Sequence, residues 1–105
     1  MLNMNKDLDE AIEKDASDVH LIFGLNPILR VARELQESET ADVLSEDELY
    51  EAYDYFVRGN IDKDEIYHET KRLDTSFEYE NIRLRVNISS ADDKPTFTLR
   101  IIKNT

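Results

Sequence analysis

Two runs of strictly alternating polar and apolar side chains follow one another in residues 74–89, DTSFEYENIRLRVNIS. One face of these runs carries Thr75, Phe77, Tyr79, Ile82, Leu84, Val86 and Ile88. A shift of one residue in the second run would expose its four aliphatic side chains, at about 1.5 kcal/mol or more each. The segment therefore predicts a β-hairpin of well-specified register, with its turn at Glu80 and Asn81.

The opposite face of the second run carries Arg83 and Arg85, which point away from the core if the apolar face is buried. A third alternating run, TFTLRII at residues 96–102, has Arg100 on its polar side. If the last two runs are neighbouring strands, these arginines form a small basic patch on a chain with 24 acidic and 13 basic residues. The alternative is that they only pair with nearby carboxylates, beginning with Glu78 across the hairpin.

The composition is that of one globular domain, with 105 residues, 40% hydrophobic and 35% charged. The formal net charge of −11 argues against nucleic acid and anionic membrane surfaces as partners, because both are polyanions. There is no cysteine, which excludes disulfides and thiolate chemistry. No stretch resembles a signal peptide, and no apolar run approaches the ~20 residues that span a bilayer, so we expect a cytoplasmic protein.

The first third of the chain predicts a helix followed by two strands. Residues 5–14 have a narrow apolar side and either Asn3 or Asn5 as a helix N-cap. That side consists of Leu8, Ala11 and Ile12. Residues 15–31 show strand-like patterns on both sides of a Gly-Leu-Asn-Pro turn at residues 24–27.

The middle of the chain predicts two further helices after a polar connector at residues 38–44. Ser45 and Glu48 form a capping box, and Gly59 and Asn60 supply the residues that end the first helix. Its apolar stripe consists of Leu49, Ala52, Tyr53, Phe56 and Val57. The second helix is predicted over residues 62–72, and its inward side is expected to carry Ile66, Tyr67 and Leu73.

Four segments of the chain resemble a known family. Residues 15–31, DASDVHLIFGLNPILRV, resemble the signature A-S-D-[LV]-H-L-x-x-G-x-x-P-x-x-R-V of the type IV pilus retraction ATPases. These are the twitching-motility motors of the secretion-ATPase superfamily. Residues 74–78 (DTSFE), 83–87 (RLRVN) and 99–102 (LRII) resemble the family motifs D-F-S-F-E, R-F-R-V-N and [FL]-R-x-I at similar spacings.

The resemblance implies that residues 1–105 are a single N-terminal domain of PAS-like α+β fold, an antiparallel sheet with helices packed on one face. In the family this domain precedes a RecA-like catalytic domain within a hexamer, and its arginines reach nucleotide phosphates bound in trans. The resemblance assigns that role to Arg85 first, then to Arg83, with Arg100 third. It also implies ATP and Mg in the intact motor, and as partners the RecA-like domains of its own and neighbouring subunits and the inner-membrane platform protein of the pilus.

No catalytic domain is encoded in these residues. A phosphate loop requires G-x-x-x-x-G-K-[ST], and the only glycines are Gly24 and Gly59, neither in that context. We therefore expect this chain alone to be a monomer that does not hydrolyse ATP. A retraction motor is preferred over an assembly motor because the signature begins about fifteen residues into the chain.

Two segments depart from the family pattern. Ala32 and Arg33 replace the usual Asp-Gly of a tight turn, which predicts a wider loop or a bulge. Residues 90–95 form an acidic loop in place of the usual polar and basic one, so a family contact through that loop is in doubt.

Other chemistry has little support. Two histidines, His20 and His68, without any cysteine do not form a metal site, and Asp18 with His20 is expected to fix the end of a strand by hydrogen bonds. The remaining alternatives are the N-terminal domain of a pilus assembly or type II secretion ATPase, and a stand-alone PAS-like interaction or sensor domain. The sensor predicts a closed apolar cavity between helices and sheet.

Overall fold

The structure is a computed structural model that describes residues 3–103. The helices are α1 (Met4–Glu13), α2 (Glu46–Val57) and α3 (Ile61–Thr70). The strands are β1 (Asp18–Leu21), β2 (Ile28–Val31), β3 (Glu34–Glu37), β4 (Arg72–Tyr79), β5 (Ile82–Ala91) and β6 (Lys94–Lys103). In the part of the chain described, no helix is long and apolar enough to cross a bilayer.

The strands form one six-stranded sheet in the order β3-β2-β1-β6-β5-β4, and every neighbouring pair is antiparallel. The predicted α+β class and the antiparallel sheet with packed helices are confirmed. β5 and β6 are both interior strands in this order and pair along their whole length, from Ile82 opposite Lys103 to Ala91 opposite Lys94. The segment that begins at β4 and ends with β6 is thus a continuous meander, to which β1 adds on the far side of β6.

The core lies on one face of the sheet. The inner positions of the strands alternate with exposed ones, and they pack with the apolar stripes of α1 and α2 and with Tyr67 of α3. The largest fully buried side chains include Phe97, Leu8, Leu21, Leu29, Leu44, Leu49, Leu84 and Ile88. At about 1.5 kcal/mol or more for each such side chain, this burial fixes which face points outward in the strands that carry them.

The hairpin predicted at residues 74–89 is confirmed as β4 and β5. Phe77 lies opposite Leu84, and Tyr79 lies opposite Ile82, so that Glu80 and Asn81 form the two-residue turn. Glu80 has a φ of 56°, the left-handed conformation that such a turn requires.

The prediction of a wider loop at Ala32 and Arg33 is wrong. Val31 pairs directly with Glu34, so these two residues are the whole turn, with φ angles of 51° and 72°. Two-residue turns of this kind match the twist of the flanking strands, and that advantage outweighs the strain of a left-handed Ala and Arg. The loop predicted at residues 90–95 is also shorter in the structure than expected. Ala91 pairs with Lys94, so the turn consists of Asp92 and Asp93 alone.

The helix predictions hold in their main features, with three corrections. Asn3 caps α1, and the Ser45–Glu48 capping box is complete. α2 ends at a left-handed Arg58, whereas Asn60 is the N-cap of α3, where its side chain accepts from the backbone N–H of Lys63. Ile66 is exposed, and Leu73 lies in β4 and not on the helix.

The connector at residues 38–44 is held by one carboxylate of α1. Glu10 accepts hydrogen bonds from the hydroxyls of Ser38 (2.5 Å) and Thr40 (2.7 Å), and from the backbone N–H of Glu39 (2.9 Å). Burial opposes the ionisation of Glu10, but these bonds and one from Lys14 outweigh it and lower its pKa from 4.5 to about 2. The polar pattern of the connector gave no indication of this attachment.

Asp7, one turn before Glu10, has the opposite character. It is 5% exposed, and within the described residues its Oδ2 atom has no hydrogen-bond partner. Burial, followed by repulsion from Glu10 and Glu48, raises its pKa from 3.8 to about 6, against a smaller opposing effect of Lys6. Asp7 therefore destabilises the fold when it is ionised.

We expect Arg33→Gly to raise the free energy of unfolding by about 0.5 kcal/mol, because glycine adopts positive φ without strain. The gain is partial because glycine also increases the entropy of the unfolded chain. Thermal denaturation measures it, and Glu34→Gly, in the neighbouring strand position, serves as the control that should lower the melting temperature. A lower melting temperature for Arg33→Gly would contradict the turn geometry.

We expect Asp7→Asn to stabilise the chain by about 1 kcal/mol at about pH 7.5 and to have little effect at about pH 4. The folded state binds the Asp7 proton more tightly than the unfolded state, so its stability falls as the pH rises from the ordinary pKa of 3.8 to about 6. Urea unfolding at both pH values measures the difference. Glu65→Gln, which neutralises an exposed carboxylate, is the control. An equal effect of Asp7→Asn at both pH values would show that burial of the charge is not the cause.

Candidate functional site

The candidate site lies on the face of the sheet that the helices leave uncovered. Here the strand register places five outward side chains in one row across five strands. The row runs Ser76, Arg85, Arg100, Asp18, Arg30. Arg83 is the next outward residue of β5, opposite Glu78.

Arg85 and Arg100 are direct partners across β5 and β6, so the two last alternating runs are neighbours as predicted. Both line a surface depression of about 340 Å³ on this face. Its other lining residues are Asp74, Thr75, Ser76, Val86, Asn87 and Thr98. The predicted meeting of Arg100 with Arg85 is thus confirmed by the register, and Arg83 lies further along β5.

The three predicted arginines have different surroundings. Arg83 pairs with Glu78 at 3.7 Å, as the alternative of simple cross-strand pairing predicted, and both side chains are more than half exposed. Arg100 contacts Asp18 at 3.4 Å. The Arg85 side chain is exposed and forms no hydrogen bond or ion pair within residues 3–103.

Asp18 and His20 both form hydrogen bonds at β1, as predicted, but with different partners. Asp18 accepts from the Ser17 hydroxyl at 2.8 Å and lies near Arg30 and Arg100, whereas His20 meets Thr98 at 3.5 Å. Adjacent outward positions of one strand are two residues apart along it, so the two side chains meet residues of the neighbouring strands and not each other. Arg30 was not predicted from the sequence. It joins the row because it lies opposite Asp18 in the pair of β1 and β2, and the sequence pattern does not show which residues of two strands lie opposite each other.

A second depression, of about 440 Å³, lies where α1 and α2 begin. Its lining includes the carboxyl groups of Asp7, Asp42 and Glu48. These groups repel anions, so the second depression does not suit phosphate. Among residues 3–103 no group of three or more His, Cys, Asp or Glu side chains is placed to hold a metal ion.

The row offers guanidinium groups on a rigid support. A guanidinium presents planar pairs of N–H donors that match the oxygens of a phosphate or carboxylate. Arg85 and Arg100 face the same depression, and their like charges repel in the absence of an anion. An anion between them would remove that repulsion, so the arrangement suits a ligand with several negative oxygens.

The repulsion has a measurable effect on stability. We expect Arg85→Thr to raise the free energy of unfolding by about 0.5 kcal/mol at low salt, because it removes the charge opposite Arg100 and introduces a residue that favours strands. The gain should shrink in about 1 M salt, where the screening length falls to about 3 Å. Arg83→Thr is the matched control, since it removes the same charge but also the contact with Glu78, and no gain is expected. Equal gains for both variants would show that local repulsion at Arg85 is absent.

The fold of the chain is similar to part of several solved ATPase structures. No family model matches the chain, and no curated protein matches it. Among solved structures, the pilus retraction motor PilT with bound ADP matches with a TM-score of 0.84 and 25% identity, over 95% of this chain and 29% of that one. The Legionella pneumophila ATPase DotB matches with a TM-score of 0.78 and 25% identity, over 94% of this chain and 28% of that one.

The Yersinia pseudotuberculosis ATPase DotB shows the same fold at 16% identity, with a TM-score of 0.77 over 94% of this chain and 29% of that one. The chain therefore spans less than a third of the length of each of these ATPases. Its six-stranded antiparallel sheet with three helices matches the fold of the PilT N-terminal domain. The likeness to PilT and DotB supports placing the chain among the N-terminal domains of the secretion-ATPase superfamily.

Proposed function

We propose that the chain is the N-terminal regulatory domain of a hexameric pilus retraction ATPase. In this role it docks on RecA-like catalytic domains of its own and neighbouring subunits, and Arg85 approaches the phosphates of a nucleotide bound by a neighbour. Arg100 and Arg83 contribute more weakly. The domain couples the state of that nucleotide to its own rotation within the ring.

The observation that carries this proposal is the position of Arg85. It is exposed beside Arg100 on the uncovered face of the sheet, it has no ionic partner in residues 3–103, and it borders a depression large enough for phosphate groups. A charge held in this way is available to an incoming anion. An arginine supplied by a neighbouring subunit neutralises the charge that develops on a transferred phosphoryl group.

The chain on its own is proposed to lack ATPase activity, since its two glycines do not form a phosphate loop. ATP and Mg belong to the catalytic domain of the intact motor. The isolated domain is expected to be a monomer that binds nucleotide weakly, because exposed arginines contribute little without the backbone amides of a partner. The same proposal implies that the pilus platform protein of the inner membrane is a partner of the motor, and that the motor is cytoplasmic.

A second candidate is a secretion ATPase of the DotB kind. It is favoured by the DotB match, which has the same 25% identity as the PilT match. Both candidates place the chain beside a catalytic domain, and they differ in the machine served. A stand-alone sensor fits less well, because the residues that line both depressions described above are mostly polar or charged.

The coding sequence after Thr105 gives the first test. The proposal requires a phosphate-loop domain to follow, and a stop codon or an unrelated domain there would contradict it. Complementation of a strain that lacks pilus retraction separates the two candidates, since a DotB-type ATPase would not restore retraction.

In the intact motor we expect Arg85→Ala to lower ATP turnover at saturating ATP by at least about tenfold, because the charge on the transferred phosphoryl group is no longer offset. Arg85→Lys should recover little, since an ammonium group does not reproduce the paired donors of guanidinium. Arg33→Ala, which removes an exposed arginine from the turn between β2 and β3, is the control and should leave turnover unchanged. Normal turnover of Arg85→Ala would exclude Arg85 from this role.

A further inference from the structure

Asp18 occupies an unusual place on the uncovered face of the sheet. Its side chain is 12% exposed, whereas those of its neighbours Arg30 and Arg100 are 44% and 69% exposed. Burial of a carboxylate is unfavourable unless it is hydrogen-bonded and paired with opposite charge. Asp18 satisfies this requirement with both oxygens, so it is an anchor for the more exposed side chains around it.

The anchor is held by the strands around it. Oδ2 accepts from the Ser17 hydroxyl at 2.8 Å. The backbone N–H of Ser17 donates to the carbonyl of Arg30, and the Ser17 carbonyl accepts from the N–H of Ile101. The start of β1 is therefore tied to β2 on one side and to β6 on the other, which fixes the Asp18 carboxylate relative to both arginines.

The contact with Arg100 uses a particular nitrogen. Nε of Arg100 donates to Oδ1 of Asp18 at 3.4 Å, and Nε of Arg30 lies 3.9 Å from Oδ2. A guanidinium has five N–H donors, of which Nε carries one, so an Nε contact leaves the four terminal donors for another acceptor. Asp18 thus restrains the orientation of the Arg100 group, which lines the depression, without occupying its terminal donors.

We propose that Asp18 is a positioning residue that orients the Arg100 guanidinium for an anion bound between Arg100 and Arg85. This inference rests on the proposed function, and it adds a residue for which the sequence suggested only a role at the end of a strand. Orientation before binding reduces the rotamer entropy that a long side chain loses when it grips a ligand.

The geometry also gives a reason for arginine at position 100. A lysine carries its three donors on one nitrogen, so when that nitrogen lies beside Asp18 it does not extend toward the anion as the terminal donors of arginine do. Arg100→Lys should therefore weaken anion binding mainly because Asp18 captures the ammonium. Removal of the Asp18 carboxylate should release it.

The orientation is tested by NMR of the arginine Nε–Hε groups in the whole chain. We expect the Hε of Arg100 to exchange with water at least about threefold more slowly than that of Arg85, which has no side-chain partner among residues 3–103. Asp18→Val, which keeps a strand-favouring residue but has no acceptor, should remove this difference and leave Arg85 unchanged. Equal exchange of the two groups in the unaltered chain would overturn the proposal, and this result is available even if Asp18→Val does not fold.

Binding of tripolyphosphate, followed by chemical shifts in the same chain, tests the consequence. Arg100→Lys should weaken binding by about fivefold when Asp18 is present and by less than about twofold in the Asp18→Val background. The same factor in both backgrounds would show that Asp18 acts only as a distant charge and would overturn the proposal. Absence of any binding would count against the proposed function, whereas the exchange measurement would still decide on the orientation of Arg100.

Discussion

One-sided burial of β5 and β6, the two longest strands, is the constraint on which the rest of the structure depends. β5 and β6 pair over their full length, and their inner positions lie under α1 and α2 in a single core. Because successive side chains of a strand point to opposite faces of the sheet, burial of the apolar residues places the polar residues between them on the uncovered face. This is why the uncovered face carries Arg83, Arg85 and Arg100. The positions of these site residues are therefore determined by how the core packs.

This dependence explains how much of the molecule could be predicted. The hairpin at residues 74–89, its turn and the outward direction of its arginines follow from local periodicity, and all three are confirmed. The capping box at Ser45 is likewise local. These features were predictable because the deciding interaction was with a residue close in sequence or was set by a strong alternation of polarity.

Prediction from the sequence failed where the interacting residue is distant in the chain, or where the paired strands impose a backbone conformation that the local residues disfavour. The hydroxyl and amide donors that hold Glu10 come from a connector almost thirty residues away, with a sequence separation of 28 for Ser38. The tight turn at Ala32 and Arg33 contradicts the preference of both residues, because the strands on either side require it. Ile66 matched an inward position by pattern alone, but α3 buries only Tyr67. To predict that Arg30 and Arg100 flank Asp18, one must know that β1 lies between β2 and β6, and periodicity does not give the order of the strands.

The pairing of β1 with β6 has a further consequence for how the site comes into being. Asp18 and Arg100 are 82 residues apart in the chain, whereas β4, β5 and β6 follow one another directly. Closure of a long loop is entropically unfavourable, so we expect contacts of this separation to form late in folding and to be sensitive to partial opening. Arg85 and Arg100 can come together in the meander alone, but the carboxylate that completes their row arrives only with the final closure of the domain. An aligned row of charges therefore exists only in molecules that have finished folding.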